Sequence, residues 1–213
     1  MWPAVIGLIL FFTFFAVFFL KPKKKREWRS FGLFEAFLVA LYAEMYGFPL
    51  TIYILSSVLG VHLSLGHKAG HLNAVILERL GIMSLNDAWR LVMAISSILI
   101  WSGLVILGMG WRRIYRGKEG LVTEGVYSYI RHPQYLGLML ILIGMLIQWP
   151  TILTAAMFPF LFIAYRRLAG REERELAEKF GETYREYERL VPSRFIPMHL
   201  LREKRTSKII NHR

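Results

Sequence analysis

The sequence predicts an all-α fold: a polytopic membrane helix bundle of about five transmembrane helices, with a short hairpin and a cytosolic C-terminal amphipathic helix. Three observations predict it. Hydrophobic residues fill 55% of the 213 positions and mean hydropathy is +0.40, against the roughly 45–50% apolar share of soluble domains. They are gathered into runs approaching the roughly 20 residues that cross a bilayer core. Basic residues lie between the runs. With five crossings and the N-terminus outside, 24 of the 27 Lys and Arg fall inside, leaving Lys68, Arg79 and Arg90 outside, as the positive-inside rule requires. That distribution accounts for the net charge of +12 through membrane topology and membrane lipid, so no nucleic-acid partner is expected. The absence of Cys excludes disulfides and thiolate chemistry.

Trp2–Leu20 is almost wholly apolar and is followed by Lys21, Lys23, Lys24, Lys25, Arg26 and Arg29. A cleavable signal carries its basic residues first, so this order predicts a retained helix. Leu33–Leu59 is a second span, long enough to tilt or to kink at Gly47-Phe48-Pro49. It carries Glu35 near its start and Glu44 at depth, and an intramembrane carboxylate is a functional candidate unless it pairs with an Arg of another helix. Gly60–Trp89 is a polar connection with His62, His67 and His71. Gly66, Gly70 and the lack of a nearby carboxylate argue against a metal there. Arg90–Trp111 is the third span, closed by Arg112, Arg113 and Arg116. Leu136–Trp149 and Thr151–Tyr165 are the arms of a hairpin turning at Gln148-Trp149-Pro150. From Arg166 the composition turns charged, and Arg171–Leu190 predicts one amphipathic helix with Leu176, Phe180, Tyr184 and Tyr187 on its apolar stripe. Residues 1–118 therefore read as N-terminal transmembrane helices, 119–197 as the hairpin and C-terminal helix that hold the ligand, and 198–213 as a basic tail.

The chain is organised around Leu121–Gly137, LVTEGVYSYIRHPQYLG. Pro133 has no backbone N–H and pushes His132 out of α geometry, so a helix should restart here with local carbonyls left for a ligand. Arg131, His132 and Tyr135 crowd that break. The hairpin should bring it to Arg166–Glu175, adding Glu172 and Glu173. With Tyr127, this set matches a ligand that carries a carboxylate, an ammonium and an aromatic base at the mouth of an apolar cavity. The same residues also suit an interfacial anchor, and Arg171–Glu175 also suits a solvated helix face.

The order GVYSYIRHPQYLG, apolar hairpin, REERELAEKFGETYREYERLVP and a following proline resembles the integral-membrane methyltransferases of the isoprenylcysteine carboxyl methyltransferase and phospholipid methyltransferase group, over about residues 119–197. The resemblance implies a cytosol-facing pocket for S-adenosylmethionine and a lipophilic, membrane-dissolved acceptor. At matching positions, Leu121 and Val122 would supply backbone contacts, Tyr127, Arg131, His132 and Tyr135 would line the cofactor, and Glu172 would take its amino group. A carboxylate acceptor needs no base, whereas an ammonium acceptor must first lose a proton, for which Glu44 or Glu173 are candidates. Where the carboxyl-methylating enzymes carry a substrate-handling Arg, this chain has Leu168, and a shift of register would pass the role to Arg167 or Arg171. If neither substitutes, a lipid amine gains weight as acceptor.

Two rivals remain at the level of sequence: an NADPH-dependent membrane reductase of similar architecture, and a non-enzymatic transporter or scaffold, for which no internal repeat speaks. In this Cys-free chain, single Cys probes near Lys68 and Lys118 should label from opposite sides of the membrane. Labelling from one side would contradict the five-span topology.

Overall fold

The computed structural model describes Gly7, Leu10 and residues 25–42, 50–58, 71–116 and 120–195. The rest of the first span, Glu44, the Gly47-Phe48-Pro49 break, His62, His67 and the tail beyond Phe195 lie outside the described residues. What is described is helical, with no strand: α1 Lys25–Tyr42, α2 Leu50–Val58, α3 Leu72–Arg79, α4 Leu85–Arg116, a 3₁₀ turn Gly125–Ser128, α5 Pro133–Gln148, α6 Ile152–Phe180 and α7 Glu182–Leu190. Leu85–Ile114 and Ile152–Phe180 are long and apolar enough to cross a membrane, and Pro133–Gln148 is a shorter apolar helix. On α4, Leu91, Ile95, Ile98, Trp101 and Val105 are exposed. Water penalises such a surface, whereas lipid accepts it.

Local chemistry sets the helix ends. Ser84 caps α4: its hydroxyl accepts the Asp87 amide at 3.3 Å and donates to the Asp87 carboxylate at 2.7 Å, a variant of the capping box. Pro133 opens α5, where its missing N–H costs nothing. Thr151 starts α6 by accepting the Thr154 amide at 3.0 Å.

Two boundaries differ from the sequence expectation. Nothing breaks at Arg166: α6 continues from the apolar arm through the charged stretch to Phe180, because Arg, Glu, Leu, Ala and Lys are all strong helix formers whatever solvent they face. The expected single helix Arg171–Leu190 is instead broken at Gly181, whose φ of 54° is left-handed. Its amide donates to the Ala177 carbonyl at 2.9 Å, ending α6 with a glycine cap before α7 begins.

The chain divides into two compact units, residues 1–101 with 141–165 and residues 102–140 with 166–213. In the first, Ala74, Ala88 and Val92 form a small core with Leu77, Trp89 and Ile147 around them. His71 is buried there, its Nδ1 donating to the Gln148 carbonyl at 2.6 Å while Asn73 donates to the Ile147 carbonyl at 2.8 Å. These two side chains cap the C-terminal carbonyls of α5, which otherwise lack partners. The His71 ring also packs edge-on to Trp149, with centroids 4.8 Å apart. This His of the polar connection therefore terminates a helix.

In the second unit α4 and α5 pack at backbone distance. A Cβ on Gly137 would lie 2.7 Å from the Gly103 carbonyl oxygen and 3.0 Å from Leu107, the small-residue contact that lets membrane helices approach closely. Gly137→Ala should therefore force the helices apart and destabilise by about 1–3 kcal/mol, read as a lower melting temperature in detergent. Gly108→Ala, whose added Cβ meets nothing within 4 Å, should be neutral or slightly stabilising. Equal melting temperatures would contradict the close crossing.

Candidate functional site

Within the second unit, three chain segments converge on one carboxylate. The first is the turn before α5. Gly125, with φ of 67°, enters the 3₁₀ turn, where a Cβ would sit 3.0 Å from the Arg113 guanidinium. The turn buries Tyr127, and its Ser128 hydroxyl donates back to the Gly125 carbonyl at 2.7 Å. The second is the charged part of α6, which presents Glu172 and Glu173. The third, Pro192–Phe195, follows α7 as an irregular strap. It lies against the break before Pro133: the Arg131 amide donates to the Ser193 carbonyl at 3.0 Å and the His132 amide to the Arg194 carbonyl at 3.1 Å. The amides of the two residues before Pro133 are thus met by the chain itself.

Glu173 is 7% exposed. Its Oε1 lies 3.1 Å from His132 Nε2, 3.5 Å from Arg131 Nη1 and 2.9 Å from Arg194 Nε, and Arg194 Nη2 closes a second contact on Oε2. Arg131 in turn meets Glu188 of α7 and the Pro192 carbonyl. On the other face of the imidazole, His132 Nδ1 stands 3.3 Å from Glu172 Oε2, at ion-pair distance but without the angle of a hydrogen bond. Burial opposes a charged His132, yet its contacts with Glu172 and Glu173 outweigh that cost and hold its pKa above the ordinary value. Burial, reinforced by the Glu173 charge, pushes the Tyr184 hydroxyl up to about 12.

The cluster thus brings together Arg131, His132, Glu172 and Glu173, with the buried Tyr135 ring 5.7 Å from the His132 ring. Other residues singled out in the sequence stand elsewhere. Tyr127 donates its hydroxyl to Gln134 at 3.0 Å and lends its carbonyl to the Tyr187 hydroxyl at 2.7 Å. Leu121 packs on the Tyr184, Tyr187 and Val191 core, and Val122 is half-buried. Leu168 is buried, while Arg167 and Arg171 are exposed. Neither Arg makes an ion pair among the described residues, so the geometry gives no sign of a register shift that carries either into the cluster. Glu44 lies outside the described residues. Arg194 and Glu188 were missed by sequence reasoning. The only sequence signal for the strap is its place between Pro192 and Pro197, too short a stretch for a helix.

A cavity of about 430 Å³ adjoins the turn, lined by Met109, Arg112, Arg113, Gly125 and Val126. Arg113 pairs with the exposed Glu124 at 3.5 Å. Arg112 makes no ion pair or hydrogen bond among the described residues.

Residues 88–178 match the isoprenylcysteine carboxyl methyltransferase (ICMT) family. Two curated relatives are similar to the chain. The protein-S-isoprenylcysteine O-methyltransferase of Schizosaccharomyces pombe is 30% identical over 97 residues, which are 43% of this chain and 41% of the relative. The Arabidopsis thaliana protein-S-isoprenylcysteine O-methyltransferase B is 38% identical over 76 residues, 34% of this chain and 38% of the relative. The chain thus spans about two fifths of the length of the curated relatives it matches. No solved structure matches. The resemblance to membrane methyltransferases stated from the RHPQY and REERE motifs is borne out, and the match begins earlier, within α4.

Because the folded pKa of His132 is raised, its contribution to stability is complete below the unfolded value of about 6.5 and is lost as pH rises through the folded value. The melting temperature of the ligand-free protein should therefore fall across that window, and His132→Gln should flatten the fall. Identical pH slopes in the two proteins would contradict a charged His132 in the cluster.

Proposed function

We propose that this protein is an integral-membrane methyltransferase that uses S-adenosylmethionine to methylate a lipophilic, membrane-dissolved acceptor. The observation that carries the assignment is the cluster of buried His132 and Glu173 with half-buried Glu172, built by the two motifs of the matched segment, the two Glu on a helix that continues from an apolar span. The side chains fit the amino-acid part of the cofactor. His132 Nδ1 and Glu172 Oε2, both buried, face each other without a hydrogen bond of regular geometry, and an ammonium accepts both as partners. Tyr135 offers an aromatic face that tolerates a sulfonium. Once bound, the cofactor would supply an electrophilic methyl group, and no protein nucleophile is needed.

The roles of this chain's residues follow. Glu172 holds the ammonium, and His132 shares it. Leu121 and Val122 offer backbone groups, and Tyr127 shapes the turn. Arg131 and Glu173 hold His132 in place. A carboxylate surrounded by Arg131, Arg194 and His132 is a weak base, so if the acceptor is an amine, Glu44 is the better candidate for its proton. The apolar cavity beside Gly125 suits an acyl or prenyl chain, and Arg112 and Arg113 at its edge suit an anionic head. The two relatives are named for isoprenylcysteine O-methylation, and an isoprenylcysteine carboxylate is accordingly the first acceptor to test, with a lipid amine second. Arg112 and Arg113 would then serve where Leu168 cannot, with Arg167 and Arg171 the alternatives. Five spans with the N-terminus outside and a cytosol-facing site follow from the charge distribution, while the amphipathic α7 lays Tyr184 and Tyr187 on the protein's own core. Residues 1–118 form the membrane part, 119–197 the cofactor part and 198–213 the tail.

Saturating S-adenosylhomocysteine should raise the melting temperature by linkage, and NADPH should not. Stabilisation by NADPH alone would overturn the assignment. Removing a partner of a charged ligand group commonly costs about 1.5–3 kcal/mol, so His132→Ala and Glu172→Ala should each weaken S-adenosylhomocysteine binding at least about tenfold. Glu175→Ala, on the exposed side of α6, should have little effect. Small and equal effects at all three positions would return Arg171–Glu175 to a merely solvated face.

A further inference from the structure

His132 sits between two carboxylates, and its two nitrogens are held differently. Nε2 meets Glu173, a carboxylate already fixed by Arg131 and Arg194. Because Glu173 is engaged with these cations it acts only as an acceptor, so Nε2 carries a proton in every state of the site. Nδ1 faces Glu172 at 3.3 Å. If Nδ1 carried no proton, two acceptors would oppose each other in a buried site, a repulsive arrangement.

We propose that His132 is an imidazolium in the ligand-free protein and exchanges its Nδ1 proton for the ammonium of the bound ligand, with Arg194 as the positioning residue that directs this exchange by holding Glu173 on Nε2. In the exchange the Nδ1–H bond breaks and the proton leaves to bulk buffer. An N–H of the ammonium then donates to the Nδ1 lone pair, and another donates to Glu172. The charge of the cluster is unchanged, so the ligand enters without a net electrostatic cost from its ammonium. The proposal presupposes the methyltransferase assignment above and adds to it a proton stoichiometry and a role for a residue outside both sequence motifs. The groups that face His132 are Glu172 and Glu173 from α6 and the rings of Tyr135 and Phe195. Arg131, Arg194, Glu188 and Tyr184 act on it through Glu173 and Arg131.

The test is calorimetric titration of the full detergent-purified chain with S-adenosylhomocysteine, in buffers of different ionisation heat, across a pH series. About one proton should be released per ligand near pH 6.5, with release fading as pH rises past the His132 pKa and affinity rising over the same window. The analogue that lacks the α-amino group should release none, and neither should His132→Gln, its fold checked by circular dichroism. Arg194→Ala removes a cation from Glu173, so the midpoint of proton release should move to higher pH; Arg194→Lys should restore it. A merely structural Arg194 would lower affinity without moving the midpoint, and that result would overturn its assigned role. Ligand binding without proton release, or release that persists in His132→Gln, overturns the exchange and leaves the methyltransferase assignment standing. Absence of both binding heat and thermal stabilisation with S-adenosylhomocysteine overturns the exchange and the methyltransferase assignment together.

Discussion

The structure around the candidate site depends on the neutralisation of one buried carboxylate. Glu173 sits on a helix that continues from an apolar span, and burying an unpaired carboxylate costs several kcal/mol or forces its protonation. Three cations from two other segments meet it: Arg131 and His132 from the break before α5, and Arg194 from the strap after α7. The strap adds two backbone hydrogen bonds at the break. These bonds and ion pairs fix each other's direction, because a guanidinium that meets both carboxylate oxygens tolerates little rotation.

That constraint explains why the turn has the sequence it has. Gly125 supplies the left-handed residue that starts the turn, Tyr127 and Tyr187 lock it from inside, and Pro133 restarts the helix where His132 must leave α geometry. The result directs the imidazole along α6, with Glu173 on one nitrogen and Glu172 on the other. One side of the His is thereby structural, and the proposed exchange with a ligand concerns the other. On that proposal the same chain position serves stability and binding, and the two are linked through a proton.

Much of this was legible in the sequence, for reasons that differ by residue. The helical class followed from apolar runs, and the convergence of Arg131, His132, Glu172 and Glu173 followed from a hairpin with polar ends. Helix boundaries were less legible. The end at Gly181 and the absence of one at Arg166 depend on backbone propensity, whereas the sequence reading followed hydropathy, and those signals part company where a membrane helix enters water. Arg194 was invisible because it reaches Glu173 across 21 positions, from a segment with no periodicity of its own. His71, for which the sequence offered no role once a metal was argued against, caps a helix; its partner is a backbone carbonyl 77 positions away, which no local pattern reveals.

The most direct measurement of the account is a double-mutant cycle between Glu173→Gln and Arg194→Gln, read on S-adenosylhomocysteine affinity and on melting temperature in the same preparations. If Glu173 organises the site through its cations, the two substitutions should be strongly non-additive, with a coupling of about 1–3 kcal/mol in both readouts. Effects that add to within about 0.5 kcal/mol would contradict it, because they would mean that the strap and the charged helix act on the ligand independently.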